Sequence, residues 1–195
     1  MKVIGISGSS GAGKTTLSKI LNEREDVKVI DADKIVKEMS VPGTAYLNAI
    51  KDTFGEEVFY EEGYLNRKAL ASKIYNNDVE REKLNNITFK YVVEEMKKRI
   101  NDLKKEKLKF IIIDAPLLFE SKLDECCDHV IALVANNELK LKRICDRDGI
   151  DIATAKARLN IQHDNDYYTS RSDFVIFNGE GCDLRREIEM IFNKI

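Results

Sequence analysis

Five short apolar runs rich in β-branched residues punctuate the chain: Val3-Ile4-Gly5-Ile6, Val27-Lys28-Val29-Ile30, Phe110-Ile111-Ile112-Ile113, His129-Val130-Ile131-Ala132-Leu133-Val134 and Asp173-Phe174-Val175-Ile176-Phe177. Between them apolar residues recur at helical spacing. Continuous rather than alternating hydrophobicity predicts strands covered on both faces, as in a parallel sheet between helical layers. The expected fold is α/β, an open five-stranded parallel sheet with helices on both faces and ligands at the carboxyl ends of its strands.

Two stretches interrupt this alternation. Residues 34–109, between the second and third runs, are too long for one crossover helix. Val41-Pro42-Gly43-Thr44 reads as a turn leading into a helix from Ala45 that Phe54-Gly55 closes. Glu61-Glu62-Gly63-Tyr64-Leu65 reads as a second turn before a short helix from Asn66 to Ile74. A long amphipathic helix from Val79 to Lys105 follows, with Leu84, Ile87, Tyr91, Val92, Met96, Ile100 and Leu103 on one face. This is an inserted helical subdomain in a chain otherwise expected to be one domain over 1–195. It either simply covers the sheet or also holds an acceptor substrate. Residues 137–172 predict two short helices joined at Asp148-Gly149, the first carrying Arg143 and Arg147 and the second Arg158 with Gln162, each pair at i, i+4. They form either a small lid that closes on phosphate or a solvated charged face.

The turn after the first run carries the most specific chemistry. Gly8-Ser9-Ser10-Gly11-Ala12-Gly13-Lys14-Thr15 satisfies G-x-x-x-x-G-K-[ST] in full, with a strand before it and an amphipathic helix, Thr16-Leu17-Ser18-Lys19-Ile20-Leu21, after it. Glycines let successive N–H groups turn inward around a triphosphate, and the helix that follows offers its dipole and unpaired amides. Lys14 is expected to reach the β- and γ-phosphates of ATP and the Thr15 hydroxyl to hold Mg²⁺. Two further strand ends carry acids, Asp31-Ala32-Asp33 and Asp114-Ala115-Pro116, each followed by a helical pattern. They either approach the triphosphate from one edge or cap helices.

Net charge is −2 and charged residues make up 34% of the chain, so no global attraction to nucleic acid or membrane is expected and an anion site must be local. Cys126, Cys127, Cys145 and Cys182 form no C-x-x-C pair and read as reduced thiols. The early start of the phosphate loop leaves no room for a signal peptide, so a cytoplasmic location is expected. Phosphate loops serve nucleotide-hydrolysing switches and motors or kinases. No guanine-reading N-K-x-D segment is present, and a lid with an acceptor-holding insertion suits a kinase, which must exclude water.

With these pieces placed, the chain resembles the dephospho-coenzyme A kinases along nearly its whole length. The resemblance runs through Gly8–Thr16, Asp31-Ala32-Asp33-Lys34, Val41–Thr44, Phe54–Glu57, Leu65–Leu70, Leu84–Ile87, Asp114-Ala115-Pro116-Leu117-Leu118-Phe119-Glu120, Cys127–Ile131, Arg147-Asp148-Gly149, Arg158 with Gln162, and Asp173–Ile176 with Asn178. It implies ATP-dependent phosphorylation of the ribose 3′-hydroxyl of dephospho-CoA. Asp33 would be the base that accepts or orients the hydroxyl proton, and Arg143 and Arg147 lid arginines that neutralise transferring charge. Asn178-Gly179 would border the adenine, and Asp31, Arg67, Asp114, Pro116 and Leu117 would lie on the acceptor side. The chain departs from the family pattern at Phe89-Lys90, where members usually carry His-Pro. It departs again at Ser9-Ser10-Gly11-Ala12, a loop nearer in form to uridine kinases.

Overall fold

The structure, a computed structural model, describes all residues Met1–Ile195. Strands β1 (Lys2–Ser7), β2 (Val27–Asp31), β3 (Phe110–Asp114), β4 (His129–Val134) and β5 (Phe174–Phe177) form one sheet in the order β2-β3-β1-β4-β5. The pairing is parallel, with Ile4 opposite Ile112 on one side of β1 and Gly5 opposite Val130 on the other. Ile4, Ile6, Ile111, Ile112, Ile113, Ile131 and Leu133 have no exposed surface, as expected of strands sandwiched between helices.

The expectation of full cover fails at the edges. Val175 and Phe177 on β5 are 48% and 56% exposed, and Lys28 on β2 is exposed. Each edge strand has a neighbour on one side only, and nothing in a continuous apolar run distinguishes an edge from a centre. The helical pattern expected after Asp114 also fails. Residues 116–122 run as turns, followed only by a 3-10 turn at Leu123–Cys126. Leu118 is buried in this stretch, and a Cβ on Gly5 would lie 2.8 Å from its Cδ2, so β1 and the turn are in direct contact.

Helices α1 (Lys14–Asn22), α2 (Ala32–Met39), α3 (Ala45–Phe54), α4 (Arg67–Ile74), α5 (Asp78–Leu103), α6 (Asn137–Asp148), α7 (Ile152–Asn160), α8 (Asn165–Thr169) and α9 (Leu184–Phe192) complete the chain. They divide between two compact units, residues 1–30 with 103–195, and residues 31–102. In the first, α1 and α9 place Leu17, Leu21, Leu184, Ile188, Ile191 and Phe192 in one core with the strands, and Phe192 stacks on Phe110 at 4.0 Å.

The second unit has its own core. Tyr46, Leu47, Ile50, Phe54, Val58 and Leu70 are buried together, with Leu84, Ile87 and Tyr91 of α5 packed against them. The boundaries follow local chemistry. Thr44 caps α3, Gly55 ends it with φ +87°, and Asn66 caps α4. Arg99 on α5 pairs with Glu95 on its own helix and with Glu38 at the end of α2. No helix in the chain is long and apolar enough to cross a membrane.

Candidate active site

The loop between β1 and α1 is shaped by contacts from behind. Gly8 and Gly13 have φ of +135° and +112°, a region that L side chains rarely adopt. A Cβ on Gly8 would lie 2.2 Å from the Leu133 carbonyl oxygen, and one on Gly13 would lie 2.1 Å from Asn178 Nδ2. At Gly11 the obstacle is the main chain of α6, with the Lys140 carbonyl oxygen 2.6 Å from an added Cβ. Helix α1 starts at Lys14 with Gly13 as its N-cap and no side chain capping it. Its first amides and the positive end of its dipole are thus available to an anion.

Lys14 folds back along the loop. Its Nζ donates to the Gly8 carbonyl and, at 3.2 Å, to that of Ser9. Thr15 and Thr16 are exposed in the first turn of α1. One turn further, Ser18 Oγ donates to Asp114 Oδ2 at 2.5 Å, which ties the end of β3 to α1. Pro116 and Leu117 are exposed in the turn that follows.

Both arginines of α6 reach the loop. Arg143 donates to the Gly11 carbonyl at 3.3 Å, and Arg147 to Ser10 Oγ at 3.4 Å. Gln162 accepts from the Ser10 amide at 2.7 Å, so one backbone donor of the loop is engaged by a side chain that follows α7. Asp148 sits between Arg147 and Arg158 at 2.7 and 2.8 Å. The hydrogen bond from Arg147 holds its carboxyl below the usual range and raises the guanidinium in turn.

Three expected site residues belong to the helical unit, 31–102. Asp31 is the N-cap of α2 and accepts from the Lys34 amide at 3.1 Å, so the capping alternative holds for it. Asp33 is not at a strand end but exposed in the first turn of α2. Arg67 is exposed at the start of α4.

The pair Asn178-Gly179 divides its work. Asn178 is buried and donates from Nδ2 to the Ala12 carbonyl at 2.8 Å, gripping the phosphate loop. Gly179 lines a cavity of about 700 Å³ between the start of α6 and the segment after β5, together with Asn136, Leu139, Phe177 and Cys182. Sequence reasoning missed Lys140, which is 2% exposed and donates to Ser9 Oγ at 3.2 Å and Asn165 Oδ1 at 3.1 Å. The available signal was its i, i+4 spacing to Ile144, the other buried residue of α6.

The family model for dephospho-CoA kinase matches residues 2–183. A dephospho-CoA kinase from Fusobacterium nucleatum is 36% identical over 96% of this chain and 95% of its own. A solved dephospho-CoA kinase from Campylobacter jejuni superposes with a TM-score of 0.71 at 30% identity, covering 98% of this chain and 96% of its own. The protein TT1252 from Thermus thermophilus has the same fold, with a TM-score of 0.80 at 22% identity over 100% of this chain and 97% of its own.

The loop geometry sets a first prediction. Gly13→Ala forces a Cβ into Asn178 Nδ2 at φ +112°, so it should abolish nucleotide binding in a titration with Mg·ATP. Adding Asn178→Ala should not restore binding, because the backbone strain remains. Binding by the single variant at wild-type affinity would contradict this geometry.

Proposed function

Because the chain belongs to the dephospho-CoA kinase family, we propose that it transfers the γ-phosphoryl group of ATP to the ribose 3′-hydroxyl of dephospho-CoA, giving coenzyme A and ADP. The observation that carries this reading is the family match over residues 2–183, which includes the whole phosphate loop and all the strands.

In this reading Gly8–Thr16 surrounds the triphosphate, with the amides at the start of α1 as donors. Lys14 exchanges the carbonyls of Gly8 and Ser9 for phosphate oxygens, a move open to a flexible four-carbon stem. Phosphoryl transfer asks for positioning and charge stabilisation more than for covalent chemistry. Arg143 and Arg147 already donate to the loop and are the natural groups to turn towards the transferring phosphoryl. Gly179 and its cavity suit the adenine, while Asn178 supports the loop.

The Thr15 hydroxyl, a hard oxygen exposed where the loop meets α1, fits an ion such as Mg²⁺ that keeps phosphate oxygens and waters as its other ligands. Bound with the nucleotide, that ion would offset charge on the β- and γ-phosphates. Asp33, in the first turn of a helix whose N-cap is Asp31, is the base that takes or orients the 3′-hydroxyl proton. In this reading Asp31, Arg67, Asp114, Pro116 and Leu117 are the residues assigned to acceptor binding. The reaction belongs in the cytoplasm.

One observation favours a second reading, a kinase for another nucleoside or nucleotide. Phe89-Lys90, on α5, stands where the family usually has His-Pro, so any contact that His makes to the acceptor is missing or replaced. An acceptor panel with coupled ADP detection decides between the two. Dephospho-CoA should be the only efficient acceptor, and efficient turnover of another nucleoside with none of dephospho-CoA would overturn the assignment. ATP bound without turnover on any acceptor would instead point to a regulatory homologue.

Asp33→Asn should lower kcat by about 10²-fold or more while ATP affinity changes little. An unchanged kcat would remove Asp33 from the chemistry.

A further inference from the structure

Lys140 is the one lysine counted among the buried polar and charged residues. Its ammonium has two neutral acceptors, Ser9 Oγ at 3.2 Å and Asn165 Oδ1 at 3.1 Å. The carboxylate that acts on it electrostatically, Asp164, is engaged as the N-cap of α8. A buried charge without a close counter-charge is costly, and a neutral side chain of similar length could fill the same space. Burial accordingly holds the Lys140 pKa below the ordinary lysine value, against the pull of Asp164.

The surroundings keep this ammonium in place. The backbone of Lys140 lies against Gly11, so the first turns of α6 and the phosphate loop are packed without a gap. Asn165 is held in turn by donating from Nδ2 to the Ala135 carbonyl at 3.1 Å, just past β4. Ser9, itself 2% exposed, receives Lys140 on its hydroxyl, and its carbonyl accepts Lys14 Nζ and the Ala12 amide at 3.2 Å each. One residue of the loop is therefore fixed by two lysines through different oxygens.

We propose that Lys140 is a positioning residue of the phosphate loop: it orients Ser9 from behind and supplies a buried positive charge that a polyphosphate tail in the loop complements. The inference rests on the reading that the loop binds ATP. A charge in a poorly screened site attracts phosphates without touching them, so its contribution grows with the length of the tail and is absent for a nucleoside. It is exerted equally on ground state and transition state, and so belongs in KM rather than in kcat.

The test uses the full chain with Lys140→Gln, which keeps a hydrogen-bond donor and loses the charge, and Lys140→Met, which loses both. Thermal melts establish that each variant folds. Affinities for Mg·ATP and adenosine are measured alongside the kinetics. Lys140→Gln should bind Mg·ATP about 10-fold more weakly and raise KM for ATP to match, with kcat within about 3-fold and adenosine affinity within about 2-fold of wild type. Lys140→Met, if folded, should lose at least as much affinity for Mg·ATP. Wild-type affinity for Mg·ATP in Lys140→Gln, or equal losses for ATP and adenosine, would overturn the proposal while leaving the kinase assignment intact. No binding of Mg·ATP by the wild-type chain would overturn that assignment and this inference with it.

Discussion

The structure depends on how closely the backbone of the phosphate loop is approached from behind. At Gly8, Gly11 and Gly13 an added Cβ would lie between 2.1 and 2.6 Å from Leu133, Lys140 or Asn178, residues of β4, of α6 and of the segment after β5. The loop is thus not a flexible tether but the place where separate elements of the sheet's carboxyl edge converge. Its backbone is held in place by these contacts, so little ordering remains to be done when an anion enters.

The same convergence links the loop to the helices beyond β4. Arg143, Arg147 and Gln162 contact Gly11 and Ser10, while Lys140 and Asn178 hold Ser9 and Ala12. The groups divide by exposure. Lys140 and Asn178 are buried and serve as fixed supports. Arg147 and Arg158 are half-exposed and share Asp148, an arrangement that side-chain rotation can undo. A kinase needs both, a rigid cradle for the tail and mobile charge for the transferring group.

What the sequence made legible follows from how local each feature is. The phosphate loop could be read because its chemistry lies in the backbone, and glycine is the residue that backbone requires. The starts of α3 and α4, marked in the sequence by the turns before them, are local for the same reason, since Thr44 and Asn66 each accept from an amide three residues away. Asp31 carries two meanings in the sequence, and its bond to the Lys34 amide shows that it caps α2. The exposure of Val175 and Phe177 depends on β5 being the last strand of the sheet, which no short window contains. Lys140 depends on still more, because its burial arises only when α6, α8 and the loop meet. The bond of Asn178 to the loop likewise depends on the return of β5 to the sheet beside β4.

The central claim, that amides at the start of α1 and in the loop before it grip a nucleotide's phosphates, is tested most directly by amide chemical shifts of the isotopically labelled chain titrated with Mg·ATP. The largest changes should fall on Gly11, Gly13, Lys14 and Thr15, with the Ser10 amide also moving as it exchanges Gln162 for phosphate. Changes absent from these residues at saturating nucleotide would contradict the account.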